Sequence, residues 1–223
     1  MAKRPIATKT DEAAGIGRVI RGPDCVAEGA AWLAAREPRF ADALALTGPL
    51  PLRLREDGFA ALLSAIVSQQ VSVASASAIW GRLEAAGLTD PAAVATADDA
   101  ALRACGLSRQ KMRYARALAA AEVDYPALRA APLPEVIDVL TEVPGIGRWT
   151  AEIYAMFSLG RADVFAPGDL ALQESARLLF ELEERPKERR LREMAEAWSP
   201  WRAVAARALW AYFRERTARE GVR

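Results

Sequence analysis

The sequence contains no histidine among its 223 residues. This absence excludes Ser-His-Asp and Cys-His catalysis and histidine-based metal sites, so any proton transfer must fall to carboxylates, lysine, tyrosine or water. Only two cysteines are present, Cys25 and Cys105, and they lie far apart in the chain. A four-cysteine iron–sulfur cluster or zinc knuckle is therefore excluded, and each cysteine is predicted to be a buried free thiol.

The chain also lacks a long apolar run and a strong net charge. No stretch of about 18 uncharged apolar residues occurs, so no transmembrane helix is predicted. The first residues, MAKRPIATKTDEAAG, carry no secretory pattern, and residues 1–24 are predicted to be a flexible basic tail on a cytoplasmic protein. The net charge of +1 does not by itself indicate nucleic-acid binding, although most of the cations are arginine, which suits phosphate contacts.

Helical apolar periodicity dominates the sequence, of which 52% is hydrophobic. In the segment 59–67, for example, apolar residues recur at the spacing of one buried helical face. Such patterns predict about ten helices, and only Leu50–Arg55 and the link before Asp169 are strand candidates. We therefore predict an all-α protein with two helical lobes and a cleft between them.

Local signals predict where several helices begin. Ser72 and Ser108 are typical N-caps, and the segment 96–99 resembles a capping box for the helix that follows it. In the last helix, which opens after Ser199-Pro200, the aromatic residues, among them Trp201 and Trp210, are predicted to anchor the core.

The most distinctive stretch is Leu140–Leu172, LTEVPGIGRWTAEIYAMFSLGRADVFAPGDLAL. The four residues 144–147, PGIG, cannot comfortably continue a helix, because proline lacks an amide donor and glycine adopts conformations barred to other residues. A helical pattern resumes at Arg148, so a helix, a hairpin and a second helix are predicted. Asp169 follows at the start of a further helix.

The hairpin is predicted to expose backbone amides. Those of Gly145, Gly147 and Thr150 would point outward together at a helix N-terminus, which makes an anion site with phosphate as the candidate ligand. The spacing fits neither the Walker loop nor the GxGxxG fingerprint. From these residues alone, a plain helix–helix turn remains an equal alternative.

The opposite side of the hairpin is predicted to present carbonyl groups. The carbonyls near Thr141, Val143 and Ile146 are candidate ligands for a monovalent cation, Na⁺ or K⁺. No other cofactor is predicted.

Two further segments have both a structural and a functional interpretation. Gln69 and Gln70 separate two apolar helices, and they form either a solvated turn or a loop that faces a ligand. The segment Arg109–Glu122 carries four cations on a predicted helix, which is either a solvated face or a phosphate-contacting one.

The wider pattern resembles the helix-hairpin-helix DNA glycosylase superfamily, and within it the 3-methyladenine DNA glycosylase II, or alkylation-repair, branch. The resemblance is carried by four motifs that occur in order over roughly residues 25–215: FAALLSAIVSQQVSVASASAIWGRL, LRACGLSRQKMRYARALA, LTEVPGIGRWTAEIYAMFSLG with DVFAPGDLAL, and SPWRAVAARALW. It implies a glycosylase domain over residues 25–223, with the hairpin at about 140–150, that lacks the extra N-terminal β-rich domain of longer relatives.

The resemblance also assigns roles to site residues. Asp169 matches the catalytic aspartate of the family, and Gly145, Gly147 and Thr150 match the hairpin positions whose amides bind a DNA phosphate. Trp149 stands where bifunctional members carry a nucleophilic lysine, which implies an enzyme that removes bases without lyase activity. Trp149 is then the first candidate for stacking on the damaged base and Tyr154 the second, although a core position for Tyr154 is the stronger interpretation. The absent cysteine cluster separates the chain from the iron–sulfur branch.

The implied reaction starts from an alkylated purine such as 3-methyladenine or 7-methylguanine, whose positive charge already weakens the glycosidic bond. The enzyme would flip the nucleotide out of double-stranded DNA, and Asp169 would stabilise the oxocarbenium-like sugar and orient water. The loop Gln69, Gln70 and Val71 matches the family position that fills the gap left by the flipped base.

Other functions remain open at this point. The same fold can serve another damaged base, such as uracil, hypoxanthine or 1-methyladenine, or it can form a DNA-binding protein without catalysis. The complete APGDLAL context of Asp169 argues against the second alternative. The resemblance further implies a monomer associated with the nucleoid and no membrane partner.

Overall fold

The structure is a computed structural model, and it describes residues 15–219. These residues form thirteen α-helices and one short 3₁₀-helix, Glu196–Trp198. In chain order the α-helices are α1 Pro23–Arg36, α2 Pro38–Thr47, α3 Phe59–Ser68, α4 Val73–Ala85, α5 Pro91–Thr96, α6 Asp99–Ala104, α7 Arg109–Ala120, α8 Tyr125–Ala130, α9 Leu133–Thr141, α10 Arg148–Phe157, α11 Leu170–Leu179, α12 Glu188–Ala195 and α13 Arg202–Arg219. The predicted all-α class is confirmed. None of these helices is long and apolar enough to cross a membrane.

The chain divides into two compact units. Within the described residues, one unit comprises residues 15–54 together with residues 155–219, and the other comprises Arg55–Tyr154. In the first unit the alanine-rich helix α13 packs against α1, α2 and α11, because a helix with small side chains on most faces allows close approach from several sides. In the second unit α7 packs against α3, α5 and α6. The cleft stays a prediction.

The two strand predictions are wrong, since the only β-pairing in residues 15–219 is an isolated bridge between Val19 and Arg161. Leu50–Arg55 is irregular because Pro51 lacks an amide donor and Arg53 has a φ of 54°. The carbonyl of Leu52 instead accepts hydrogen bonds from the buried guanidinium of Arg207.

The predicted boundary of the N-terminal tail at residue 24 is also wrong. The amide of Ile20 donates to the Gly160 carbonyl at 2.7 Å, and the amide of Ala162 donates to the Arg18 carbonyl at 2.9 Å. Ile20 is buried. Arg18 and Ile20 therefore belong to the packed fold, and the predicted tail residues 1–14 lie outside the described residues.

Two smaller expectations need correction. Thr96 is not a cap, because its hydroxyl bonds to the Ala92 carbonyl inside α5, and Asp98 caps α6 through the Ala101 amide at 2.7 Å. Cys25 is half-buried rather than buried, whereas Cys105 is buried, and both are free thiols. The N-caps predicted at Ser72 and Ser108 are confirmed.

Two helical glycines offer a matched pair for testing the packing. Gly81 is exposed inside α4, and a Cβ added there would meet no atom within 4 Å. Gly29 is buried in α1, and the same Cβ would lie 2.7 Å from Trp201 and Val204 side-chain atoms. We expect Gly81→Ala to raise the free energy of unfolding by about 1 kcal/mol and Gly29→Ala to lower it. Urea denaturation measures both, and a stabilised Gly29→Ala would contradict the close helix packing.

Candidate DNA interface and catalytic aspartate

The hairpin between α9 and α10 is held by its own backbone hydrogen bonds. The amide of Val143 donates to the Leu140 carbonyl at 3.2 Å, and the amide of Ile146 donates to the Val143 carbonyl at 3.0 Å. The side chains of Val143 and Ile146 are buried and anchor the turn in the second unit. The hairpin is therefore a fixed element rather than a loose connection.

The two glycines of the hairpin serve different needs. Gly145 has a φ of 96°, and a Cβ there would lie 2.4 Å from Cγ of Tyr114, so the tyrosine ring occupies the space of a side chain. A Cβ on Gly147 would meet nothing within 4 Å. Gly145 is thus required by packing and backbone conformation, whereas Gly147 leaves its surroundings open to a ligand.

The predicted phosphate site lies at the N-terminus of α10. The intrahelical ladder starts where the amide of Ala151 donates to the Gly147 carbonyl at 3.1 Å, so the preceding amides belong to the first turn, where anions bind. Thr150 lies in this first turn and its side chain is buried, so the group that it could offer to an anion is its backbone amide. Arg148 adds positive charge, and its exposed guanidinium is paired with the buried Glu152 carboxylate at 3.1 Å.

The carbonyls proposed as cation ligands come from the end of α9 and the turn. Thr141 is the last residue of α9, so its carbonyl lies at the negative end of a helix. Val143 already accepts the Ile146 amide, and a carbonyl oxygen has a second lone pair. The donor set suits a hard monovalent cation. Among the described residues, no group of three acidic or cysteine side chains could hold a metal ion.

The two aromatic residues predicted to stack on a base differ in exposure. Trp149, in the first turn of α10, is 45% exposed. Tyr154 is 4% exposed, and its hydroxyl accepts a hydrogen bond from the Gly58 amide at 2.9 Å. This burial favours the core role for Tyr154 and leaves Trp149 as the aromatic surface near the hairpin.

The burial of Tyr154 has a measurable consequence at high pH. Burial, and to a smaller extent the nearby Asp57 carboxylate, raises the pKa of Tyr154 from its ordinary value of 10 to about 12. The hydrogen bond from the Gly58 amide acts in the opposite direction. Between these values the unfolded tyrosine loses its proton before the folded one does. Stability is therefore retained below pH 10 and falls as the pH rises towards 12. We expect Tyr154→Phe to reduce the slope of that fall in urea denaturation; an unchanged slope would contradict this assignment.

The turn between α3 and α4 holds Gln69, Gln70 and Val71, the predicted wedge loop that would fill the gap left by a flipped base. The three side chains differ in their surroundings. The side-chain amide of Gln69 donates to the Gly145 carbonyl at 2.8 Å, so it is engaged with the hairpin. Gln70 is exposed with a φ of 56°, and Val71 is 37% exposed. Sequence reasoning missed Val73, which is 84% exposed. The exposed tip of the turn is thus Gln70–Val73.

Asp169 is the N-cap of α11 in the first unit. Its Oδ1 accepts the Leu172 amide at 3.0 Å and the indole N–H of Trp210 at 3.2 Å. The preceding loop is fixed where the buried side-chain amide of Gln173 donates to the Pro167 carbonyl at 2.8 Å. One carboxylate oxygen therefore has two donors that set the orientation of the group, and the helix N-terminus favours its negative charge.

Trp210 is a functional candidate that the sequence did not reveal, because spacing alone assigned it to the core. It is only half-buried, and its ring lies 5.8 Å from that of Phe157 between centroids. Behind Phe157 lies the guanidinium of Arg207, 4.8 Å from the ring centre. Burial, together with Arg53, lowers the pKa of Arg207 to about 10, so the group stays a cation at neutral pH.

Comparison with known proteins places these features in a family. Residues 63–200 match the HhH-GPD superfamily of base excision DNA repair proteins. The chain belongs to this superfamily. DNA-3-methyladenine glycosylase 1 of Schizosaccharomyces pombe is 31% identical over 165 residues, which cover 70% of this chain and 72% of that protein. DNA-3-methyladenine glycosylase 2 of Escherichia coli is 30% identical over 168 residues, 69% of this chain and 57% of that protein.

A solved structure agrees with these matches. The S. pombe 3-methyladenine DNA glycosylase in complex with abasic DNA superposes with a TM-score of 0.73 at 29% identity. The aligned region covers 82% of this chain and 95% of that one. The predicted helix-hairpin-helix DNA glycosylase fold is therefore confirmed, and the matched HhH-GPD region contains the hairpin, the α3–α4 turn and Asp169.

Proposed function

We propose that this protein is a monofunctional DNA glycosylase that hydrolyses the N-glycosidic bond of alkylated purines and leaves an abasic site. The substrates in view are 3-methyladenine and 7-methylguanine in double-stranded DNA. The observation that carries the proposal is the Asp169 carboxylate, held at a helix N-terminus by the Leu172 amide and the Trp210 indole in a protein without histidine. The names of the two relatives above support the substrate class.

The chemistry of the substrate matches what this chain can supply. An alkylated purine carries a positive charge, so its glycosidic bond breaks without a strong general acid. The sugar then becomes oxocarbenium-like, and a nearby carboxylate stabilises that charge and orients the attacking water. Asp169 is the residue for this role, because its two donors fix one oxygen of the carboxylate.

Trp149 has two roles in the proposal. Its half-exposed indole offers a π-surface to a cationic base, a contact that is stronger for a positively charged ring than for a neutral one. Trp149 also cannot form a Schiff base with the sugar, unlike a lysine at the same position. We therefore propose base removal without strand cleavage.

The hairpin would hold the DNA backbone. The first-turn amides of α10 and the amides of Gly145 and Gly147 would bind one phosphate, and Arg148 would add a charge-assisted contact. The carbonyls of Thr141, Val143 and Ile146 would hold Na⁺ or K⁺ beside it, which lowers the repulsion between carbonyls and phosphate. The proposal includes neither an iron–sulfur cluster nor a second subunit.

A panel of lesions tests the proposed substrate class. Purified protein is incubated with methylated duplex DNA and with duplexes that each contain one uracil, hypoxanthine or 1-methyladenine, and the released bases are separated and quantified. We expect free 3-methyladenine and 7-methylguanine. Release of uracil, hypoxanthine or 1-methyladenine in their place would support the same fold with another substrate, and binding of DNA without any released base would support the non-catalytic alternative.

A further inference from the structure

Three elements of the second unit brace one another through side chains. The α3–α4 turn contacts the hairpin where the Gln69 amide donates to the Gly145 carbonyl at 2.8 Å. The end of α3 contacts α7 where the ammonium of Lys111 donates to the Val67 carbonyl at 2.6 Å. The hairpin contacts α7 where Gly145 lies against the ring of Tyr114. The three contacts form a closed triangle.

The Lys111 contact is unusual for a lysine. The Lys111 ammonium contacts a carbonyl in the last turn of α3, where the helix dipole is negative. Its side chain is therefore directed towards α3 and does not join the exposed cations of α7. Burial lowers the pKa of Lys111. A long, entropically costly side chain held in this way restrains the end of the helix that leads into the turn.

The element restrained by this triangle is the exposed tip Gln70–Val73. Val71 and Val73 present apolar side chains to solvent, where they contribute little to folding. Apolar side chains are suited to replacing the stacking lost when a base leaves a duplex. Gln69 points away from this role, because its amide is engaged with the hairpin.

We propose that Gln69 and Lys111 are positioning residues that fix the tip Gln70–Val73 relative to the phosphate-binding hairpin. Binding of a phosphate by the hairpin then sets where the tip enters the duplex, and the tip opens the base pair. The inference rests on the proposed glycosylase function. Gln69 then connects the turn to the hairpin and does not itself enter the duplex.

Single-turnover release of 7-methylguanine from two duplexes tests this role. In one duplex the lesion is paired with cytosine, and in the other it faces an abasic-site analogue, which reduces the cost of unpairing. We expect Gln69→Met and Lys111→Met each to slow release from the paired duplex by about tenfold. Release from the unpaired duplex should change by less than about threefold, because a lesion without a pairing partner leaves the duplex at a lower free-energy cost and depends less on the tip.

Two controls separate positioning from loss of structure. Lys111→Arg retains a donor for the Val67 carbonyl and should keep the paired-duplex rate within about threefold of the unchanged protein. Lys187→Met removes an exposed cation with the same change of charge and should leave both rates unchanged. Equal losses on both duplexes, or no loss on either, would overturn the inference.

A second measurement does not depend on activity. Hydrogen–deuterium exchange of the free protein should be faster in residues 69–73 of Gln69→Met and Lys111→Met, while exchange in α13 stays unchanged. If the wild-type protein releases no base from either duplex, the proposed function fails. The exchange result still shows whether Gln69 and Lys111 hold the tip in place. Unaltered exchange in the turn of both variants would overturn the inference.

Discussion

Asp169→Asn is expected to slow the release of alkylated purines by at least about 100-fold, the range seen when a single electrostatic contact to a transition state is removed. The variant keeps the shape of the side chain but loses the negative charge that would stabilise the oxocarbenium-like sugar. Single-turnover rates with saturating protein measure the effect, because they exclude product release.

The same substitution carries its own structural control. Asparagine is as good an N-cap as aspartate, so its carbonyl oxygen can still accept the Leu172 amide and the Trp210 indole. The free energy of unfolding should therefore change by less than about 0.5 kcal/mol. A stable Asp169→Asn protein with undiminished release would contradict the catalytic assignment, and an unstable one would show that the carboxylate mainly supports α11.

Gly145→Ala is expected to have the second large effect, on both stability and DNA affinity. The new methyl group would lie 2.4 to 2.8 Å from three atoms of Tyr114, and the residue would keep a φ of 96°, which disfavours alanine. The two penalties together should lower the free energy of unfolding by about 2 to 4 kcal/mol. Because the hairpin must move to relieve the overlap, affinity for an abasic-site duplex should fall by about tenfold or more.

Two variants give this prediction its controls. Gly147→Ala lies in the same hairpin without a neighbouring atom within 4 Å of its Cβ, so its stability should match the unchanged protein within about 0.5 kcal/mol. Tyr114→Ala should relieve part of the loss in the double variant with Gly145→Ala, because the obstructing ring is gone. Strict additivity of the two losses would show that the ring is not the cause.

The sequence predicts the helices wherever the pattern that defines a helix lies within a few residues. Apolar spacing predicted helices such as α3, and side-chain caps at Ser72 and Ser108 marked helix starts. The segment around Leu52 alternates apolar and charged residues as a strand does, yet it is irregular and Arg53 has a φ of 54°. Its Leu52 carbonyl accepts a hydrogen bond from Arg207, which lies 155 residues further along the chain.

The residues of the candidate site likewise fall into two groups, those predicted by local motifs and those that depend on distant partners. The hairpin, Trp149 and Asp169 follow from contiguous motifs, and the structure places them on helix termini. The indole of Trp210 and the hairpin contact of Gln69 depend on partners 41 and 76 residues away, which no local pattern encodes. Tyr154 shares a helix with Trp149, and only packing distinguishes the buried aromatic side chain from the exposed one.

The most direct test is the mass of the DNA strand after one reaction. A duplex that contains a single 7-methylguanine is incubated with excess protein, and the strand is analysed without heat or added base. Our account predicts free 7-methylguanine and an uncut strand whose mass corresponds to one abasic site. An unaltered strand would contradict the assignment of alkylated purines as substrates, and a strand cut at the lesion would contradict base removal without lyase activity.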